Sequence, residues 1–497
     1  RGRRIVRRGR AWVNRARAAV PLIMTNHSDP LLDEEARTLS GSLAVKKKLS
    51  FQERAFAPMG AGSLRGSVLA LASTAFGSGV LALPWVYASM GLVLGSVLMA
   101  AGAFAAFASL RLLANAAWAT GEQAYADMVR KSLGPRTVMF LDTVLLFYCG
   151  GAVCGYYVFI EQFGPLLMES LGTPAWLQRP TNLVLLLTAV PVLPLCLTRK
   201  LSSLRYASLL STGCLVAVAI MLVAQTPSKY AAMSSSGQGV ELLAVPASSW
   251  PLVPRAAAIF FFAFCCHINA CAAYAGMDDP MPTRVDKVIS RAVLLMVFVY
   301  GAVGICGFIS YGPACVVEVP DASSPSCTPT NILASPRFSG PVSTVSRMCM
   351  TLALCVAIPL NLHAARAILE RLLLKSRDPL SSRQAEETPL HMHVTFTVLI
   401  LGSMLSLAVL YRNVNNILGV LGGFAAVSFM FVIPVCMMLA LHFKKGAQEG
   451  RQAPHIGKWL GVSTSGVVFV ASFLGLCTLT GYYSAGTAVL DIVSAAR

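Results

Sequence analysis

Apolar residues in this chain are gathered into long runs, and short charged stretches or stretches of Pro, Gly and Ser separate the runs. A helix needs about 20 apolar residues to cross a hydrocarbon core of ~30 Å. A window of that length predicts eleven transmembrane helices. Their approximate limits are 64–88, 91–115, 137–167, 181–198, 203–225, 254–277, 286–311, 342–370, 392–411, 414–441 and 460–480. The pattern therefore predicts an all-α integral membrane protein with many passes.

The composition supports this prediction. Hydrophobic residues make up 56% of the 497 and charged residues 12%, whereas a soluble domain carries roughly 25% charged residues. The lipid bilayer is therefore the predicted partner of the apolar surface. The net charge of +18 lies in the gaps between the predicted helices, so nucleic-acid binding is not predicted. The 14 cysteines form no C-x-x-C pair, and neither a metal nor another cofactor is predicted.

The distribution of Lys and Arg predicts the orientation. If the N-terminus is cytosolic and the loops alternate, the great majority of the 40 Lys and Arg residues face the cytosol, as positive charge does during insertion. Residues 1–62 are then a basic, largely disordered cytosolic tail, and residues 482–497 a short outward tail. In an outward loop, Cys315 and Cys327 either form a disulfide or remain two free thiols.

The first predicted helix contains two glycines, Gly77 and Gly79, on either side of Ser78. Glycines permit unwinding, and in a bilayer an unwound backbone is tolerated where it lines a cavity. The free N–H groups of a helix that begins there would face an anion, such as the carboxylate of an amino acid. The alternative interpretation is that the small residues mark close helix packing.

The sixth predicted helix carries two polar side chains, His267 and Asn269, next to a run of aromatic residues. An ionisable side chain inside a membrane helix is costly, and by default it indicates a functional site. A structural histidine that is hydrogen-bonded within the bundle is the alternative explanation.

Five groups of residues follow one another in a defined order. They are Gly77-Ser78-Gly79-Val80-Leu81-x-Leu83-Pro84, Phe264-Cys265-Cys266-His267 with Tyr274, Tyr300 with Gly307 and Tyr311-Gly312, Pro359-Leu360-Asn361 with Arg366, and Gly419 with Gly422-Gly423 and Pro434. In their order and spacing, over roughly residues 60–480, these motifs resemble the amino acid/auxin permease (AAAP) family of the APC superfamily.

The resemblance implies a leucine-transporter-type fold and secondary transport of amino acids by alternating access. The first five helices, 63–225, and the next five, 254–441, would be inverted repeats, with an eleventh helix, 458–481, outside them. The substrate carboxylate would meet the break in the first helix, and the amino group would meet main-chain carbonyls of the first and sixth helices. The implied substrate-binding residues are Ser73, Thr74, Ala75, Phe76, Gly77, Ser78, Gly79, Tyr148, Cys149, Phe264, His267 and Asn361.

Three positions depart from the family pattern. The sodium-coupled branch has Asn and Thr where this chain has Ser73 and Ala357. The loss of an amide oxygen and a hydroxyl removes ligands suited to a hard cation, so proton coupling or facilitated transport is predicted rather than sodium coupling. The third departure is Ile268, where a proline often follows the histidine, so a break in the sixth helix has no obvious local cause.

If protons drive transport, a titratable group near the cavity must change its charge during the cycle. His267 is the first candidate because histidine titrates near physiological pH, and Glu161 and Asp142 are the alternatives. The predicted cavity holds no certain carboxylate, which favours neutral amino acids as substrates.

A second function for the same scaffold is an amino-acid sensor (transceptor) that signals through the cytosolic N-terminal tail. A membrane enzyme is not predicted, because the chain offers no paired carboxylates, metal cluster or nucleophile with its base. A plasma membrane and a vacuolar or lysosomal-type membrane are both compatible with helices of these lengths.

Overall fold

A computed structural model describes residues 63–198, 205–235, 247–277, 281–311, 330–335, 338–374, 389–449 and 464–495. Within these ranges every regular element is helical. Ten helical stretches in this part of the chain are long and apolar enough to cross a membrane, which confirms the all-α prediction. The basic tail 1–62 and the loop cysteines Cys315 and Cys327 lie outside the described residues.

Most helices begin and end within a few residues of the predicted limits. Numbered along the chain, they are α1 (Leu64–Ala75), α2 (Leu83–Thr120), α3 (Tyr125–Leu133), α4 (Pro135–Ser170), α5 (Pro180–Leu197), α6 (Arg205–Ser235), α7 (Val253–Ala263), α8 (His267–Ala275), α9 (Pro282–Tyr311), α10 (Pro341–Leu374), α11 (Leu390–Leu410), α12 (Val414–Leu441) and α13 (Thr464–Ala495).

The largest difference from the prediction concerns the first two spans. The chain has no loop between 88 and 91; instead, one apolar stretch of 43 residues runs over Ser78–Thr120. Gly91 bends this stretch, with φ 68° and ψ 173° inside α2, a conformation that glycine adopts without steric cost. A single residue makes the turn, so the hydropathy of the stretch is continuous and ten rather than eleven spans are counted in the described residues.

The last helix is longer than predicted. α13 continues to Ala495, past the predicted end at 480, so most of the segment taken as an outward tail is helical. Close packing on α12 accounts for the extension. A Cβ added to Gly419 would lie 3.4 Å from Ala488, and one added to Gly423 would lie 3.1 Å from the backbone nitrogen of Ala485.

The hydropathy pattern did not predict α3, because its nine residues are too few for a membrane window. One face of α3 is buried, and the Tyr125 hydroxyl donates a hydrogen bond to the carbonyl oxygen of Phe429 at 2.5 Å. This bond connects the segment between α2 and α4 to α12.

Two helices, α7 and α9, both pack against α2. α7 packs against α2, α12 and α13, and α9 packs along both α1 and α2. Glycines allow α9 to approach closely: an added Cβ would lie 2.6 Å from Tyr87 at Gly304 and 2.5 Å from Pro84 at Gly307. α9 therefore lies directly beside the point where the first helix is interrupted.

Candidate functional site

The first interruption separates α1 from the helical turn that follows. α1 ends at Ala75, Phe76 and Gly77 are extended, and a 3₁₀ turn begins at Ser78. The first N–H groups of such a turn have no partner within it. The helix is therefore broken where the glycines predicted a break, and its ends present free main-chain groups.

The two glycines of this break have different surroundings. A Cβ added to Gly79 would lie 3.1 Å from the Phe262 ring and 3.4 Å from the Cα of Ala263. A Cβ added to Gly77 would meet nothing nearer than the Ala75 carbonyl oxygen at 4.0 Å. Gly79 is therefore packed closely against α7, whereas there is space for a side chain at Gly77.

The second interruption separates α7 from α8. α7 ends at Ala263, residues 264–266 are not helical, and α8 begins at His267. This stretch contains neither Gly nor Pro, and Phe264, Cys265 and Cys266 are all buried. The Phe264 ring lies 5.2 Å from the Tyr300 ring and packs over Gly102. Packing against other helices, not local chain chemistry, accounts for this break.

Tyr300 of α9 connects the two breaks. Its hydroxyl lies 2.9 Å from the carbonyl oxygen of Ala75 and 2.8 Å from that of Ala263. These carbonyls belong to the last residues of α1 and α7. Two helix ends from distant parts of the sequence therefore meet at one buried hydroxyl.

His267 is completely buried at the start of α8. Its Nε2 lies 2.7 Å from the Ser109 hydroxyl, which also contacts the carbonyl oxygens of Ala105 and Ala106. No partner for Nδ1 is found among the described residues. This geometry fits a hydrogen-bonded structural histidine, the alternative that the sequence left open.

Tyr148 of α4 and Asn361 of α10 are both predicted substrate-binding residues, but only one of them contacts the broken helix α7. Tyr148 packs against Phe262 of α7 at 5.8 Å and Phe429 of α12 at 5.1 Å between ring centroids, and Cys149 beside it is buried. Asn361 instead donates a hydrogen bond to the Tyr156 hydroxyl of α4 at 3.4 Å. The contacts therefore connect Tyr148, rather than Asn361, to the broken helix.

The hydroxyls of the residues before the first break are engaged in α1 itself. Ser73 donates to the carbonyl of Ala70 at 2.9 Å, and Thr74 donates to that of Leu71 at 2.7 Å. At the end of α1, main-chain carbonyls rather than these hydroxyl protons are therefore available to a ligand.

The two carboxylates proposed as alternative proton carriers form ion pairs at opposite ends of α4. Asp142 lies 2.7 Å from the Arg371 guanidinium of α10, and Glu161 lies 3.3 Å from that of Arg412 between α11 and α12. Nineteen residues of helix separate the two carboxylates by about 28 Å. Each pair connects α4 to a neighbouring element, and these contacts do not bring either carboxylate to a break.

Sequence reasoning missed the roles of Ser109 and Tyr300. Both residues lie on other helices, far from the breaks in sequence. A serine in an apolar run carries no local signal, and the family motif that includes Tyr300 did not indicate a contact with the breaks. A cavity of about 680 Å³ between the end of α4 and the start of α10 is lined by Glu169 and Arg347, and by none of the predicted substrate residues. Within the described residues, no cluster of His, Cys, Asp and Glu could hold a metal ion.

The chain is similar to known amino acid transporters. It is 27% identical to a candidate amino acid transporter of Toxoplasma gondii, AAT1, over 58% of this chain and 38% of that protein. It is 25% identical to Vacuolar amino acid transporter 6 of Saccharomyces cerevisiae, over 63% of this chain and 66% of that protein. The matched part is thus less than two thirds of each of these two relatives.

A third relative is covered more fully. The chain is 24% identical to Sodium-coupled neutral amino acid transporter 7 of Xenopus laevis, over 83% of this chain and 87% of that protein. Residues 60–478 match the family model described as transmembrane amino acid transporter protein, which is most of the chain. Ten apolar helices in the described residues make the chain an integral, multi-pass membrane protein, and it belongs to the transmembrane amino acid transporter family.

Proposed function

We propose that the chain carries neutral amino acids across a membrane by alternating access, and that it holds the substrate between the two helix breaks. The observation that carries this proposal is the meeting of α1 and α7 at Tyr300, with the extended residues Phe76 and Gly77 beside them. In a membrane, non-helical backbone is tolerated where it is buried in protein or lines a cavity. Substrates of transporters bind at such interrupted helices.

The main-chain groups at the breaks are complementary to the two ends of an amino acid. The turn that starts at Ser78 offers N–H groups and a positive dipole end to the carboxylate. The ends of α1 and α7 offer the carbonyls of Ala75 and Ala263 to the ammonium group. A zwitterion bridging the breaks would satisfy both sets of groups.

A neutral side chain is favoured by the residues around the breaks. Tyr148 packs against Phe262 of α7, and Cys149 beside Tyr148 is buried. Phe264 packs against Tyr300, so these side chains are aromatic or sulfur-containing. The carboxylates of Asp142 and Glu161 are held by arginines elsewhere on α4. The name of the Xenopus laevis relative, which specifies neutral amino acids, supports the same substrate class.

We further propose that transport is proton-coupled or facilitative. Sodium coupling is part of the name of the Xenopus laevis relative, but the two positions that differ from the sodium-coupled branch argue against it here. Ser73 offers a hydroxyl oxygen in place of an amide oxygen, and Ala357 has no side-chain oxygen. A hard cation needs several oxygen ligands. His267 directly follows the second break, and as a histidine it stays the first candidate for the proton carrier.

The proposed topology has eleven crossings and a cytosolic N-terminus. A stretch of 43 residues is about 65 Å long as a helix, roughly twice the ~30 Å hydrocarbon core. The bend at Gly91 would separate residues 91–120, which form one crossing, from residues 78–90, which complete the crossing that α1 begins. Eleven crossings keep most Lys and Arg residues on the cytosolic side.

The test is a panel of radiolabelled amino acids offered to proteoliposomes that contain the full chain. We expect neutral amino acids to enter, with accumulation driven by a proton gradient or with equilibration when no gradient is imposed. A sodium gradient that drives accumulation would contradict the proposed coupling, and uptake of no amino acid would contradict the function. His267→Gln should abolish proton-driven accumulation if His267 carries the proton; intact pH-driven uptake would eliminate it.

A further inference from the structure

The hydroxyl of Tyr300 occupies an unusual position for a single donor. It lies within 2.9 Å of two main-chain carbonyl oxygens, those of Ala75 and Ala263. Each carbonyl belongs to the last residue of a broken helix, and Tyr300 itself is completely buried. A phenol has one O–H to donate, so one proton serves both carbonyls.

The electrostatics of this arrangement favour a positively charged partner. The C-terminal end of a helix carries a partial negative charge, and here two such ends point at the same place. Two carbonyl oxygens repel each other unless a donor lies between them. A main-chain carbonyl has two lone pairs, so each oxygen keeps acceptor capacity beyond the bond to Tyr300.

The ring of Tyr300 is held firmly enough to fix this spacing. Phe76 lies edge-on to it at 5.9 Å and Phe264 at 5.2 Å between ring centroids. Both phenylalanines belong to the breaks themselves, the first to the end of α1 and the second to the end of α7. The hydroxyl and the two carbonyls therefore form one unit with the interrupted backbone.

We propose that Tyr300 is a positioning residue for the ammonium group of the substrate. Its hydroxyl holds the carbonyls of Ala75 and Ala263 at a separation at which an ammonium, with its several donors, bonds to both. This inference rests on the proposed function, because it takes the amine to lie at the breaks. Without the hydroxyl the two carbonyls separate, and recognition of the amine weakens while recognition of the carboxylate is retained.

The experiment measures how strongly the protein distinguishes an amine from a hydroxyl. The probes are the neutral amino acid taken up best by the full chain and its 2-hydroxy acid, which for alanine is L-lactate. Competition for uptake in proteoliposomes gives the affinity for each ligand. The measured ratio is the affinity for the amino acid divided by the affinity for the 2-hydroxy acid. Tyr300→Phe should lower this ratio about tenfold, because a bond network to a charged group is lost.

Tyr274→Phe is the matched control. Tyr274 is also a buried tyrosine, on α8, but its hydroxyl has no hydrogen-bond partner among the described residues. Removal of this hydroxyl should leave the amine-to-hydroxyl ratio unchanged. If Tyr300 acted on stability alone, its loss would weaken the binding of both ligands equally and leave the ratio unchanged. An unaltered ratio in folded Tyr300→Phe therefore overturns the proposal.

Three further outcomes have a defined reading. A ratio that rises in Tyr300→Phe would mean that the hydroxyl competes with the amine, which also overturns the proposal. If Tyr300→Phe does not fold, Tyr300→Met, a flexible chain without a donor, carries the same expectation. If the wild-type chain takes up no amino acid, the proposed function fails before the role of Tyr300 is tested, so the two failures are distinguishable.

Discussion

The two helix breaks meet at one hydroxyl, yet they have different physical origins. The first, at Phe76 and Gly77, lies among glycines and is partly accessible: Thr74 is exposed, and Phe76 and Gly77 are half-buried. The second, over residues 264–266, contains neither glycine nor proline and is buried throughout. The first break is therefore encoded locally, and the second is imposed by neighbouring helices.

The neighbours of the second break show how packing can interrupt a helix. Phe264 lies over Gly102 of α2 and against Tyr300 of α9, and His267 is bonded to Ser109 of α2. These contacts stabilise a backbone conformation that the local sequence does not favour. We therefore expect the first break to respond to substitutions in its own residues and the second to substitutions in its neighbours.

The largest expected effect is at the point where the two breaks touch. In Gly79→Val, the new Cβ would lie 3.1 Å from Phe262 and 3.4 Å from the Cα of Ala263, and two more carbons would follow. The half-helices would be pushed apart, and displacements of about 1 Å at a site cost roughly 100-fold in rate. We expect amino-acid uptake in proteoliposomes to fall by about that factor.

Gly77→Ala is the control for this variant. The added methyl meets nothing nearer than 4.0 Å, and the extended backbone of Gly77, with φ −140°, is accessible to alanine. We expect a folded protein that loses less than about tenfold in uptake, since each tenfold corresponds to ~1.4 kcal/mol. Equal losses in the two variants would show that contact between the breaks is not what Gly79 provides.

The second break should depend on a residue more than 150 positions away in the sequence. Ser109→Ala removes the hydroxyl that lies 2.7 Å from His267 Nε2. A buried polar group that loses its partner costs about 1–3 kcal/mol, so the melting temperature of the purified protein should fall. Ser89→Ala, on the same helix, removes a buried hydroxyl that has no partner among the described residues, and it should be neutral. A fall of the same size in Ser89→Ala would contradict this account.

The sequence alone predicted what depends on local chemistry. The long apolar runs predicted nearly all the helices, and Gly77 with Gly79 predicted the first break. The family resemblance implied that Tyr148 binds substrate; its ring lies 5.8 Å from that of Phe262, and its binding role stays a prediction. The pattern predicted a boundary between spans at 88–91, where the structure has only a bend at Gly91 inside a continuous apolar stretch.

What depends on distant contacts could not be predicted in the same way. The pairing of Ser109 with His267 joins residues on α2 and α8, and Tyr300 joins α9 to the ends of α1 and α7. Ser109 does not differ in pattern from other serines in apolar runs, and the family motif that includes Tyr300 does not indicate which groups its hydroxyl contacts. The short helix α3 was missed for a different reason, because one buried face over nine residues produces no membrane-length signal.

The smallest expected effect comes from introducing a proline at the second break, where the natural sequence has none. Ile268 lies in the first turn of α8, where backbone N–H groups have no partner within the helix, and proline is tolerated in that turn. We expect Ile268→Pro to change stability by less than about 1 kcal/mol and to retain uptake. Ala273→Pro, in the interior of α8, removes a helical hydrogen bond and should cost about 3 kcal/mol. If thermal unfolding shows equal losses for both variants, α8 does not begin at His267 in the membrane, and packing does not create a break there.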